Sequence, residues 1–373
     1  MRNINCSISG NVQAGIHRVI TVDDLSSVWT NELNLAVIAN SEEDRSLVGE
    51  LLSEGVTNIG WICSSEVKAG DVLKAVPGHS RSVVLYREED EHHSILLTNR
   101  CNSYCIMCSQ PPTEHPDAWL IDEALATVRH IGKAPKSIGI SGGEPLLAVE
   151  GLRQVIHLTN RCHPSTRIEV LTNGRLFSDP RVVSGLFDGL ATSPVWLIPL
   201  YGHADYLHDF VVQRPGAFQE TISGLLALQR RQQCIQLRIV LIEPVLSQLV
   251  ELCEFISRNF PFVMEVALMA CEPIGYALAN RVHCEVDLAK WSTVLIESTT
   301  IFRRCGIPFL LMNAPLCSIP HSLWRHAHRS ISDWKCVYID ECETCAVKSL
   351  CSGLFAWHES GWMPAKITAV KGY

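Results

Sequence analysis

Three cysteines in one short run, Cys101, Cys105 and Cys108 within Cys-Asn-Ser-Tyr-Cys-Ile-Met-Cys, are the first residues whose type and spacing point to chemistry. Thiolates are soft donors, and a C-x3-C-x2-C loop suits a [4Fe–4S] cube. Three ligands for four irons leave one iron open to a substrate or cofactor. The competing reading is a structural zinc ion, which wants a fourth donor at matching spacing. His115 is the nearby candidate, at an unusual offset.

A second cluster lies near the C-terminus, Cys342-x2-Cys345-x5-Cys351, followed by Gly353. On spacing alone it divides evenly between zinc and iron–sulfur, and its fourth ligand must come from upstream. Cys317, in NAPLCSIP after the apolar run PFLLMN, and Cys336 are the two candidates. The chain has 16 cysteines, yet its first residues, MRNINCSISGNVQAG, carry no apolar export segment. Clustered cysteines in such a chain point to metal or redox chemistry rather than a disulfide framework. The scattered remainder (Cys6, Cys63, Cys162, Cys234, Cys253, Cys271, Cys284, Cys305) reads as small buried hydrophobes.

Other groups carry weaker signals. Ser141-Gly142-Gly143-Glu144-Pro145 offers two glycines for close backbone approach and a carboxylate able to pair with an ammonium. His208-Asp209 resembles a metal-phosphohydrolase dipeptide, but a capping role at a helix start is the better expectation for Asp209. His321, His326 and His328, interleaved with Trp324, Arg325 and Arg329, read as an amphipathic surface or partner contact before a metal site. Glu272 is either a substrate or cofactor contact or a structural hydrogen bond, and Gly275 lies beside it.

The elements that must position these groups come in two rhythms. Up to about residue 90, the runs HRVITV (17–22), LNLAVIAN (33–40), TNIGWIC (57–63) and SVVLYRE (82–88) read as strands and EEDRSLVGELLSEG (42–55) as a helix, a small α+β domain. From residue 94 strand, loop and helix repeat. SILLT (94–98), KSIGIS (136–141), RIEVLT (167–172), VWLIPL (195–200), LRIVLI (237–242) and FVMEVALM (262–269) are the strands, rich in bulky apolar residues as doubly buried strands are. Helical segments such as QETISGLLALQRRQ intervene. The repeat predicts a parallel sheet, either doubly wound or a partial barrel, with chemistry at the C-terminal strand ends. The first cysteine cluster follows the first strand and Gly142-Gly143-Glu144-Pro145 follows the second, so each reinforces the other.

Hydrophobic residues at 47% and charged residues at 19% exclude a disordered tail or a fibre. A formal charge of −8 argues against an extended nucleic-acid footprint, and no apolar stretch is long enough for a spanning helix. A cytoplasmic enzyme with no nucleic-acid or membrane partner is the expectation.

Cys101-x3-Cys105-x2-Cys108 followed by Gly142-Gly143-Glu144-Pro145 resembles the radical S-adenosylmethionine (SAM) superfamily, over residues 94 to 275. The resemblance implies a partial (β/α)6 TIM-like barrel. The three cysteines would bind a [4Fe–4S] cluster whose open iron chelates the methionyl group of S-adenosylmethionine. Gly142, Gly143, Glu144 and Pro145 would contact its amino group, and Asn173, in Thr172-Asn173-Gly174, would be a further cofactor contact. Reduction of the sulfonium would give a 5′-deoxyadenosyl radical. Met107 departs from the aromatic residue usual before the third cysteine, which implies altered packing. The C-terminal spacing resembles the SPASM extension and implies one auxiliary [4Fe–4S] cluster on Cys317, Cys342, Cys345 and Cys351. The strings LLTNRCNSYCIMCSQPP, ALMACEPIGYA and SISDWKCVYIDECETCAVKSLCSGLF resemble the His-Xaa-Ser system maturases of the HxsC type. The family's non-cysteine at the position of Cys336 favours Cys317 as fourth ligand. A peptide substrate, a second radical SAM maturase and an external low-potential electron donor are then the implied partners. The implied domains are 1–90, 91–285 and 286–373. A small-molecule or RNA-base substrate and a non-catalytic zinc scaffold are the alternatives, and the bond made or broken is not implied.

Overall fold

The structure is a computed structural model that describes residues 2–10, 12–190, 192–357, 362 and 367–372. The chain divides into two compact units, one of Met1–Leu97, Ala118–Gly139 and Gly151–Ile168, the other of Thr98–Asp117, Ile140–Glu150 and Glu169–Tyr373.

The first unit contains a mixed sheet of β1 (Arg2–Ile4), β2 (Ile8–Ser9), β3 (Gly15–Ile20), β4 (Leu35–Ile38), β5 (Ile59–Ile62), β6 (Val72–Ala75) and β7 (Ser82–Tyr86), in the order β1-β7-β6-β3-β4-β5-β2. β3, β4 and β5 run parallel, with antiparallel partners outside them. The helix expected after β4 spans Glu42–Ser53 and opens on a capping box, in which Ser41 and Asp44 each accept the other's backbone N–H. Its Val48 packs with Leu35, Val37 and Ile59 in a buried cluster. The alternating runs became β3, β4, β5 and β7. β1 and β2 escaped the sequence reading because two or three residues at a sheet edge carry no period, and the four residues of β6 carry little more.

The second sheet consists of β8 (Ser94–Thr98), β9 (Ser137–Gly142), β10 (Arg167–Leu171), β11 (Val195–Pro199), β12 (Cys234–Leu241), β13 (Glu265–Ala270), β14 (Phe309–Met312) and β15 (Ala327–His328). Its spatial order follows the chain from β8 to β15, and every ladder from β10 to β15 is parallel. A doubly wound sheet reverses its order at a switch point, whereas this one winds in a single sense and stays open, which is a partial barrel. The six expected strands are β8 to β13. PFLLMN supplies β14, and two-residue β15 ends the sheet. On β12, Ile235, Leu237, Ile239 and Leu241 are fully buried while Arg238 and Val240 on the opposite face are half-buried. This alternation separates a helix-covered face from a lumen. Beyond β15, β16 (Cys336–Val337) and β17 (Leu354–Phe355) form a short antiparallel pair. No helix among the described residues is long and apolar enough to cross a membrane.

Candidate functional site

The loop after β8 is held by backbone. Gly143 N–H donates to Thr98 O at 2.8 Å and Glu144 N–H to Arg100 O at 2.8 Å, which docks the end of β9 onto the residues just before Cys101. This approach explains the glycine pair. A Cβ on Gly142 would lie 2.2 Å from Thr98 O and one on Gly143 2.1 Å from Arg100 O, and Gly142 has φ +143°. Asp117 closes the loop from its far end, accepting from Thr98 Oγ1 at 2.7 Å and Asn99 N at 2.6 Å.

Within the loop, Tyr104 and Ile106 N–H donate to Val212 O and Val211 O, at the end of the helix Asp205–Val212. On the other side Tyr276 N–H donates to Cys108 O at 2.9 Å, Asn280 Nδ2 to Ile106 O at 3.0 Å, and Gly275 (φ +63°) lies where a Cβ would be 2.4 Å from Cys108 O. Gly275 is therefore a packing position against the cysteine loop. Met107 is buried. Cys101, Cys105 and Cys108 are near enough to interact electrostatically, and burial is the largest influence on each. It pushes Cys101 up to about 11 and raises Cys105 and Cys108 as well. Bare thiols here stay protonated at neutral pH, and a bound cation would displace those protons.

Glu144 is fully buried, and its carboxylate joins two strand ends. Oε1 accepts from Leu146 N (2.9 Å) and Thr172 Oγ1 (2.5 Å), and Oε2 accepts from Asn173 N (2.7 Å). Burial raises its pKa, opposed by those three donors and by Arg175. Asn173 in turn donates through Nδ2 to Asn102 Oδ1 at 2.6 Å, beside Cys101. The strand ends and the cysteine loop thus form one hydrogen-bonded unit.

Arg175 is the residue that sequence reasoning missed. It is 5% exposed, donates to Asn102 O (2.6 Å) and Ser103 Oγ (2.9 Å), and pairs with Glu220 at 2.6 Å. A single guanidinium therefore ties the cysteine loop to the helix Ala217–Arg230. Its one sequence signal was its place directly after Thr172-Asn173-Gly174. Asp209 caps that same helix, accepting from Gly216 N and Phe218 N at 2.6 and 2.7 Å, so its role is capping. Its neighbour His208 is buried, accepts from Tyr201 N–H through Nδ1, and is lowered by burial to about 4.

Near the C-terminus one cavity is lined by Cys317, Cys342, Cys345 and Cys351. Backbone N–H groups approach two of the sulfurs, Leu316 N at 3.4 Å from Cys351 Sγ and Val370 N at 3.5 Å from Cys345 Sγ. Cys336 does not line this cavity; its Sγ lies 3.3 Å from Ser352 O, against Gly353. His326 stacks on Phe309 with centroids 4.1 Å apart, His321 meets Trp324 edge-on, and His328 sits on β15. Among the described residues no three His, Cys, Asp or Glu side chains converge on a single metal ion. A cube gives each thiolate its own iron, so its ligands need not converge on one point as those of zinc must.

The profile of the Radical SAM superfamily matches residues 95–256. These residues form a radical SAM domain. No curated protein matches the chain in sequence. Among solved structures the chain is similar to Streptococcus suis SuiB bound to S-adenosylmethionine, at 14% identity over 61% of this chain and 51% of that one, TM-score 0.47. It is also similar to anSMEcpe with bound AdoMet and the Cp18Cys peptide, at 13% identity over 58% and 62%, TM-score 0.44. A radical SAM methyltransferase from Sphaerobacter thermophilus gives 16% identity over 65% and 68%, TM-score 0.41. The chain spans about half the length of SuiB.

A radical SAM domain implies a [4Fe–4S] cluster and S-adenosylmethionine, and the residues present fit both. Three soft donors share one loop, and Asn173, whose N–H holds the Glu144 carboxylate, also reaches Asn102 beside them.

Proposed function

We propose that the chain is a radical SAM peptide maturase of the His-Xaa-Ser type, with one auxiliary [4Fe–4S] cluster in a SPASM-like extension over residues 286–373. The observation that carries this reading is the cavity lined by Cys317, Cys342, Cys345 and Cys351 in the same chain as the radical SAM domain. Cys101, Cys105 and Cys108 would hold the first cluster. Gly142, Gly143, Glu144, Pro145 and Asn173 would receive the methionyl end of S-adenosylmethionine. When bound, these groups would supply one-electron reduction of S-adenosylmethionine and, through it, hydrogen abstraction from a substrate. The protein's part is position. Arg175, Asn102 and Asn173 fix the cysteine loop against the strand ends, and the two glycines let the end of β9 dock closely on the residues before Cys101. The electron would come from an external low-potential donor, and the domains would divide as 1–90, 91–285 and 286–373.

Anaerobic reconstitution followed by turnover tests this. The loaded chain is expected to hold about eight irons with matching sulfide, as two cubes require. With reductant, S-adenosylmethionine and a peptide carrying His-Xaa-Ser repeats, it should release 5′-deoxyadenosine and change the peptide's mass. Zinc without visible absorbance would sink the reading; iron clusters with no change in the peptide would move the substrate to another class.

A further inference from the structure

Glu272 lies two residues past β13, at the barrel end that carries the cysteine loop, and its partner comes from far along the chain. Lys335 Nζ donates to Glu272 Oε1 at 3.1 Å, with side chains only 27% and 18% exposed. The same ammonium sits 5.0 Å from the ring of Trp357 and 5.4 Å from that of Trp334, two indoles that meet at 5.8 Å. An exposed Lys–Glu pair contributes little to a fold, whereas an ammonium shared between a half-buried carboxylate and two indole faces resists separation. Lys335 is also fixed through its backbone, accepting Ala356 N–H at 2.6 Å, and it immediately precedes β16. The β16–β17 pair frames the segment that carries Cys342, Cys345 and Cys351.

From this placement we infer that Lys335 is a positioning residue that latches the segment carrying Cys342, Cys345 and Cys351 onto the strand end at Glu272. The latch rests on the proposed function for its purpose, since it would set the auxiliary site against the place where the radical is made. The ion pair gives Glu272 a structural partner and so makes it an anchor for the extension.

Hydrogen exchange on the reconstituted full chain tests the latch. In Lys335→Met, which keeps bulk and loses charge, peptides from 333–357 should exchange about tenfold faster while those from 234–241 are unchanged. Lys335→Arg, which keeps the charge, should exchange like wild type, and the reversed pair Lys335→Glu with Glu272→Lys should recover protection lost in either single change. In turnover, Lys335→Met should cleave S-adenosylmethionine at the wild-type rate without peptide, yet release several-fold more 5′-deoxyadenosine per peptide modified. Unchanged exchange in Lys335→Met overturns the latch. Faster exchange with unchanged coupling reduces Lys335 to a fold stabiliser and overturns its positioning role. A wild-type chain that modifies no peptide overturns the proposed function instead, and the exchange result still decides the latch.

Discussion

Glu144 shows how a residue read as a ligand contact also serves the scaffold. A carboxylate has about four acceptor sites, and three are used by Leu146, Thr172 and Asn173. Glu144→Gln must turn an NH2 toward one of those donors inside a fully buried site, at a cost of about 1–3 kcal/mol. We expect a lower melting temperature together with weaker S-adenosylmethionine binding; a variant with wild-type melting and wild-type affinity would refute both roles. On the proposed function Cys105→Ala would remove one of three protein ligands, so iron should fall by about half and cleavage of S-adenosylmethionine should stop. Arg175→Met leaves Asn102 O and Ser103 Oγ without their donor. It should slow cluster loading and raise cluster loss on dilution, read by the decay of visible absorbance, while Cys101, Cys105 and Cys108 remain intact.

At the scale of elements, the end of β9 approaches the residues before Cys101 too closely for any side chain. Gly142→Ala would place a methyl 2.2 Å from Thr98 O at φ +143°, so the strand end must move away. A loss of several kcal/mol is expected, at the upper end for single changes, with the cluster lost alongside it; denaturant unfolding of the apo and loaded chains measures both. These glycines were legible because the motif and the strand came together in sequence. The helix Ala217–Arg230 was legible too, from its periodicity, but not the reason it sits where it does. Gly224 lies where a Cβ would be 2.2 Å from Gly174 O, and the Asp209 cap comes from the preceding helix. Both are tertiary facts, and a single sequence offers no period for a contact between distant segments. Lys335 with Glu272 was hidden for the same reason, since 63 residues separate them.

Over the whole molecule, β8 to β13 were readable because each strand was rich in bulky apolar residues, two-residue β15 was not, and the choice between a doubly wound sheet and a partial barrel needed the spatial order. For the last C-terminal ligand the sequence preferred Cys317, after the apolar run PFLLMN, with Cys336 as the alternative, and Cys317 lines the cavity whereas Cys336 does not. If the proposed auxiliary cluster is held there, Cys317→Ala should make it labile, whereas Cys336→Ala should keep the wild-type iron content; the reverse pattern in iron and sulfide assays would exchange their roles. Acid is expected to weaken the fold through two histidines, His17 in the first unit and His208 in the second. Burial, the largest cause for each, lowers both to about 4 from about 6.5. The unfolded chain therefore takes up their protons first, and stability falls as pH drops from 6.5 towards 4, by about 3 kcal/mol for each group. Denaturant midpoints between pH 7 and pH 4 measure this loss, and His17→Gln should flatten the slope. The two cysteine sites also differ in which parts of the chain complete them. The first is enclosed by contacts reaching Asn280, while the second draws Cys317 from before the cluster and the Val370 N–H from after it. During synthesis on the ribosome, all the residues that enclose the first site emerge about ninety positions before the last donor of the second. The residues of the first cysteine site are thus all available before those of the C-terminal one, so on the proposed function the radical site would be complete first.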